Sequence, residues 1–359
     1  MSSYTPLTRD NTADYLRRQG WLAADETVAV EPLTGGVSNE VLYVSRPERV
    51  GEDYVVKQAL PQLRTPQPWF SSVERIWREV EVLRICQELL DAAGSEAGLA
   101  RTPRILHEDR ANYTFAMTAA PREHRVWKTD LLAGVVDPAV AEQCGRLLGL
   151  LHAGSWESAS VRERIGDRRL FDELRLDPYY RTVAAALPAD APLFARLIAS
   201  AWDHPRSLVH ADFTPKNLLV WPQGLMMVDF ETGHYGDPAF DLGLFLAHLV
   251  LKAMYLVEPG ISPNEGPYLE LARRFWETYR ATLGRDALGG PVPDDECQAL
   301  ESRAVAQLAG CVWARLDGKS CVNYLTDPHR RDLLRSWCRD MLIDNVSTLP
   351  AAFARLPIV

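Results

Sequence analysis

Apolar positions change their period along the chain. From Thr27 to Leu33 and from Glu40 to Ser45 apolar and polar residues alternate, the two-residue period of a half-buried strand. Asp53–Lys57 makes a third run of this kind. Ahead of them, Thr12–Gln19 predicts a short helix stopped by Gly20. After them, Val73, Ile76, Val80, Leu83 and Leu90 recur at helical spacing, predicting one long helix capped by Ser71 or Ser72 and ending near Gly94. Strand-like runs return at Arg104–His107 and Tyr113–Met117. Thr118-Ala-Ala-Pro121 then reads as a connector.

Beyond the connector the helical period dominates. Pro138–His152 is one predicted helix, with Asp137 as its cap and Pro138 in the first turn. Leu193–Trp202 is another, and helices resume at Phe240, Tyr268, Asp295 and Pro328. The exception is Leu208–Asp229, where two short apolar runs flank Trp221-Pro-Gln-Gly224 and predict a loop feeding a small hairpin. The pattern predicts an α+β chain of two lobes. Residues 1–118 form a small antiparallel lobe of about five strands plus one helix, and residues 119–359 a larger helical lobe. The 359-residue length agrees with two lobes.

Composition narrows the chemistry. Lys and Arg number 39 against 48 Asp and Glu, a net charge of −9. Such a chain is unsuited to coating nucleic acid or an anionic membrane. The six cysteines form no Cys-x-x-Cys pair and read as buried small hydrophobes. The start lacks an apolar signal segment, and the most apolar run, Leu242–Leu251, is short for a bilayer span. A reducing cytoplasm is the expected compartment.

The sharpest chemical signal is Leu208-Val-His-Ala-Asp-Phe-Thr-Pro-Lys-Asn-Leu-Leu-Val220, followed by Met226-Met-Val-Asp-Phe-Glu231 and Gly236-Asp-Pro-Ala-Phe-Asp-Leu242. Asn217 stands five residues after Asp212, and Asp229 twelve after Asn217. Phosphoryl transfer needs one carboxylate to orient an attacking hydroxyl and two or three oxygen ligands to hold Mg²⁺ against nucleotide phosphates. Asp212 suits the first role. Asn217 and Asp229 suit the second, with Glu231 as an added ligand.

These three elements, in this order, resemble the aminoglycoside phosphotransferase and choline kinase branch of the protein-kinase-like fold. The resemblance implies a bilobal kinase-like architecture, ATP or GTP with Mg²⁺ as cofactors, and a small-molecule hydroxyl as acceptor. It implies structural roles for His210 and Asp241 in bracing the loop. One departure is Ala211, where the family usually carries glycine.

The small lobe supplies the matching parts. Gly35, Gly36, Ser38 and Asn39 lie in a turn between the first two strands, where glycines allow backbone to approach phosphate. Lys57 ends an apolar strand, and Glu79 lies mid-helix, facing inward more than Glu81. A buried Lys57–Glu79 pair would hold the amine at the α and β phosphates. The 114–120 segment would face adenine, with Met117 lining the base pocket. Gly318-Lys-Ser320 mimics the end of a phosphate-binding P-loop, but position 313 is Trp rather than the required Gly.

Several stretches look most like methylthioribose kinase: Val55-Val-Lys-Gln-Ala-Leu-Pro61, Asp229-Phe-Glu231, Phe240-Asp-Leu-Gly-Leu-Phe245, and Gly310-Cys-Val-Trp-Ala-Arg315. The last resembles an arginine segment lying near the sugar, which makes Arg315 a candidate substrate contact beside Asp212. Phe213-Thr-Pro-Lys-Asn217 and the single arginine of Arg315-Leu316 depart from that enzyme. Asp317 and Lys319 are further candidates for a polar acceptor, and Trp69 and Trp127 for the walls of its pocket. Two alternatives stay open: a nucleotide-binding pseudokinase acting as regulator, and a kinase that inactivates aminoglycoside antibiotics.

Overall fold

The computed structural model describes residues 4–33, 38–62, 64, 72–284 and 291–359. Gly35, Gly36, Trp69 and Ser71 lie outside the described residues. The chain separates into two compact units, residues 1–87 with 102–124, and residues 88–101 with 125–359.

The first unit opens with helix α1 (Thr12–Arg18) and strands β1 (Ala29–Pro32), β2 (Asn39–Ser45) and β3 (Tyr54–Ala59). Helix α2 (Arg75–Ala93) follows and ends in the second unit, as does the short strand β4 (Ala100–Arg101). Strands β5 (Ile105–Asp109) and β6 (Thr114–Thr118) complete an antiparallel sheet ordered β1-β2-β3-β6-β5. Strand alternation decides which side chains enter the core. Leu42, Val44 and Val56 point inward and pack with Tyr15, Leu16, Trp21 and Leu22 around α1. The helical spacing in α2 buries Ile76, Val80 and Leu83, and it buries Glu79 with them. Gln58 ties the chain start to the sheet: its amide oxygen accepts from the N–H of Leu7 at 2.7 Å, and its amide nitrogen donates to the carbonyls of Thr5 and Asn112.

The second unit begins at β7 (Arg125–Val126) and α3 (Trp127–Leu132), then α4 (Pro138–Ser155) and α5 (Ala159–Ile165). The Asp137 carboxylate caps α4 by accepting from Ala139 N–H at 2.9 Å. Next come α6 (Arg169–Phe171), a π-helix (Asp172–Arg181), α7 (Thr182–Ala186) and α8 (Ala191–Asp203). Pro178 sits inside the π-helix, where its missing N–H and its ring are incompatible with an ordinary α-turn.

Strands β8 (Ser207–Val209), β9 (Leu218–Trp221), β10 (Gly224–Met227) and β11 (His234–Gly236) follow. The β9–β10 hairpin pairs Trp221 with Gly224 and joins β4 and β7 in a four-stranded sheet, while β8 and β11 pair with each other. A Cβ at Gly224 would run into the Trp221 ring. The remaining helices are α9 (Ala239–Leu256), α10 (Pro267–Leu283), α11 (Asp294–Asp317), α12 (Pro328–Ile343) and α13 (Leu349–Ala354).

Helix α9 is longer than its apolar run suggested. It has 18 residues, sufficient in length and apolarity to cross a bilayer, but 83% of it is buried inside the fold. Gly243 is where α11 approaches, since a Cβ there would stand 2.5 Å from Gln307 and 2.6 Å from the backbone nitrogen of Leu308. Four cysteines are buried, whereas Cys297 is half-buried and Cys321 exposed.

Candidate active site

In the first unit, β3 carries Lys57 opposite Val41 and Phe115, on the buried run of the strand. Its Nζ stands 2.5 Å from Oε1 of Glu79, with both side chains almost fully enclosed. Burial of two opposite charges is tolerated only when they pair, so this geometry fixes the amine rather than leaving it solvated. Ser38 and Asn39 are both buried where β2 starts, and the Ser38 carbonyl accepts from Leu60 N–H and from the guanidinium of Arg75. Asn39 Oδ1 is buried and meets no donor among the described residues. Met117 lies in β6 opposite Val55 and Ile105 and is buried.

In the second unit, β8 delivers the chain into a loop that turns sharply at Ala211, whose φ is +60°. That left-handed backbone is what a glycine would adopt freely, and it strains an L-residue with a side chain. Asp241 holds the turn. Its Oδ2 accepts from His210 N–H and its Oδ1 from Ala211 N–H, each at 2.7 Å. His152 comes within 3.5 Å of the same carboxylate. His210 Nδ1 accepts from the N–H of Asp212 at 3.1 Å, and its carbonyl accepts from the Thr232 hydroxyl. Burial pushes the His210 ring below its ordinary pKa, so the imidazole is neutral.

Asp212 is buried, and its two carboxylate oxygens are treated unequally. Oδ2 faces Lys216 Nζ at 2.8 Å, Asn217 Nδ2 at 2.8 Å and Arg175 Nη2 at 3.1 Å. No hydrogen bond from a described residue reaches Oδ1. Burial alone would raise its pKa; Arg175 and then Lys216 outweigh that and hold the carboxyl well below the usual carboxylate range.

Asn217 also donates from Nδ2 to the Asp212 carbonyl at 3.0 Å, which turns its Oδ1 away from both contacts. The residue sits in a 3₁₀ turn, Pro215–Asn217, and its own carbonyl accepts from Val228 N–H, tying the turn to the end of β10. Asp229 follows β10 with φ +74°, and Glu231 lies two residues on. Both carboxylates act electrostatically on Arg175, and Asp229 acts on Lys216, while the described residues contain no cluster of three or more His, Cys, Asp or Glu side chains close enough together to hold a metal ion by themselves. An amide oxygen and two carboxylates are the hard oxygen donors that Mg²⁺ prefers.

Arg175 and Lys216 were not anticipated from the sequence. Arg175 emerges from the π-helix and also donates from Nε to the carbonyl of Ala211 at 2.6 Å, gripping the strained turn itself. Lys216 was visible only as a departure inside the motif.

Other candidates fall away. Asp317 is taken by Arg335 at 2.8 Å, and Lys319 pairs with Asp177 at the surface. Trp127 is buried and stacks on Phe245, so it belongs to the core. Gly318 terminates α11, so a helix rather than a strand precedes the P-loop-like tripeptide. Arg315 remains half-buried, with its guanidinium over the Tyr179 ring.

The fold and this loop define a kinase-like phosphotransferase. A family model described as a phosphotransferase enzyme family (APH) matches residues 29–280, and the chain belongs to that family. A methylthioribose kinase from Pectobacterium atrosepticum is 24% identical over 317 residues, covering 78% of this chain and 76% of its own. One from Cronobacter sakazakii is 27% identical over 287 residues, covering 72% and 69%. Among solved structures, a choline kinase from Cryptosporidium parvum aligns with a TM-score of 0.54 at 15% identity, covering 98% of this chain and all of that one. An ADP-bound aminoglycoside phosphotransferase aligns with a TM-score of 0.51 at 13% identity, covering 95% and 98%. These last two are likenesses of fold. The chain is a small-molecule kinase.

Proposed function

We infer that the protein transfers the γ-phosphoryl group of a nucleoside triphosphate to a hydroxyl group of a small molecule, with Asp212 as the residue that receives the hydroxyl. The observation carrying this reading is the asymmetry of the Asp212 carboxylate. Three donors crowd Oδ2, while Oδ1 is left to accept from an incoming O–H. A carboxylate this acidic is a poor store for a proton at neutral pH. It works by aligning the hydroxyl and keeping its lone pair on phosphorus, which suits a loose transition state in which the proton leaves late.

Asn217 Oδ1, Asp229 and Glu231 would hold Mg²⁺, which when bound offsets charge on the phosphate oxygens. Lys57, set by Glu79, would bind the α and β phosphates, with Ser38, Asn39 and Met117 serving the nucleotide. His210 and Asp241 serve the loop rather than the chemistry.

Release of ADP with a hydroxyl acceptor should fall about 10²-fold or more in Asp212→Asn. Equal rates for the variant and the wild type would overturn the assignment.

A further inference from the structure

Four elements of the second unit bring basic side chains together next to the Asp212 loop. Helix α9 contributes His248 and Lys252, α11 contributes Arg315, α3 contributes Lys128, and the 3₁₀ turn contributes Lys216. Helix α3 packs on that turn, and α9 packs along α11. Lys252 is fully buried, a rare position for an amine. Its Nζ donates to the His248 carbonyl one turn back at 3.2 Å and lies 5.5 Å from the centre of the Tyr324 ring.

None of the ion pairs among the described residues includes Lys128, Lys252 or Arg315. Two polar atoms in the same cluster are buried without a partner, Nε of Arg315 and the hydroxyl of Tyr324. The charges act on one another. Burial, then Lys128 and Arg315, push Lys252 down to about 7. Burial, then Arg315 and Lys216, lower Lys128, and burial, then Lys252 and Arg315, push His248 well down, with Asp212 working the other way. A fold that needed these groups only for packing would pair them with carboxylates or replace them by apolar residues. Gathered cations with orphaned donors are what an anion requires.

We propose that the acceptor is an acid: a hydroxyl compound whose carboxylate or phosphate group docks against Lys128, Arg315 and the Tyr324 hydroxyl, with Lys252 behind them, while its hydroxyl reaches Asp212. The proposal rests on the phosphotransfer reading for its chemistry and on the basic cluster for its substrate class. Lys128 and Arg315 are half-buried and make the direct contacts, whereas Lys252 supplies charge from beneath. The arrangement disfavours polycationic acceptors, since each would meet the cluster with like charge.

Two measurements separate this proposal from the activity. The first is ADP release with matched acceptors: glycerol, glycerate and glycerol phosphate, and ribose, ribonate and ribose phosphate. The acids should exceed their neutral parents by about tenfold or more in kcat/KM, the scale of one charge-assisted hydrogen bond. The carboxylate and phosphate arms identify which anion is used. Neutral or cationic acceptors turned over as well as the acids would overturn it.

The second is calorimetric binding of glycerate and glycerol phosphate to wild type, Asp212→Asn, Lys128→Met and Arg315→Met. Binding should persist in Asp212→Asn and weaken about tenfold or more in the other two. Anion binding without turnover would sink the phosphotransfer reading and leave the anion site. Absence of anion binding, or an equal loss of nucleotide binding in Lys128→Met, would sink the anion site whatever the turnover.

Discussion

Arg175 holds Asp212 from two sides, with Nη2 3.1 Å from its Oδ2 and Nε 2.6 Å from the carbonyl of the preceding Ala211. Removing one partner of a buried pair leaves an uncompensated charge. Arg175→Ala should therefore lose about 3 kcal/mol or more in denaturant-measured stability, and kcat should fall with it. Arg175→Lys keeps the charge but not the fork, so it should lie between. Asp212 has its pKa depressed, so its stabilisation is present above the ordinary value of 3.8 and is lost only as pH falls towards the lower folded value. Arg175→Ala should move that loss to higher pH, seen as an earlier acid-unfolding midpoint.

The Asp241 carboxylate accepts from two adjacent backbone N–H groups. Asparagine can accept with only one atom and turns an NH₂ towards the other donor. Asp241→Asn should cost about 2 kcal/mol of stability and lower kcat while nucleotide affinity, measured by calorimetry, stays within a factor of about two.

Ala211 tests the strained turn. Glycine relieves the φ of +60° but adds freedom to the unfolded chain, so the two effects oppose. Ala211→Gly should stay within about 0.5 kcal/mol of wild type and retain its kcat. Ala211→Val adds branching at a left-handed, fully buried position and should lose about 2 kcal/mol or more.

Lys252 ties acceptor affinity to pH. Lys128 faces it from α3, Arg315 from α11 and Tyr324 from the 318–327 segment, with His248 on its own helix. Its pKa is lowered from 10.5 to about 7, so between those values the unfolded chain holds the proton and the folded chain does not. Stability therefore rises with pH across that window. Lys252→Met should flatten the rise, read as a smaller difference in unfolding midpoint between pH 7 and pH 9. An anionic acceptor prefers the charged amine, so its KM should increase above about pH 7 in the wild type.

The fold was legible where local pattern and tertiary packing agree. Alternation marked the strands that pair in the first unit, Asp137 and Pro138 marked the start of α4, and the Trp221–Gly224 hairpin fell where its turn residues placed it. The spacing of Asp212, Asn217 and Asp229 singles these residues out in the sequence, and the structure sets the Asn217 amide against Asp212. Arg175 was not legible, since Asp172-Glu-Leu-Arg-Leu-Asp-Pro178 reads as a solvated polar stretch and a π-turn breaks the 3.6-residue period. Lys252 left one trace that sequence reasoning passed over, a lone cation closing a long apolar run. Its neighbours Lys128, Arg315 and Tyr324 come from distant segments, so only packing could unite them.

The π-helix around Pro178 turns towards two places at once. Arg175 reaches the Asp212 loop, and four residues on Tyr179 lies under Arg315. A π-turn amounts to one extra residue in a helix, so deleting a residue there would rotate everything beyond it by about 100°. Such a deletion would uncouple Arg175 from Tyr179 in a single step. One irregular helix thus sets the angular offset between the residue that grips the Asp212 loop and the ring beneath Arg315.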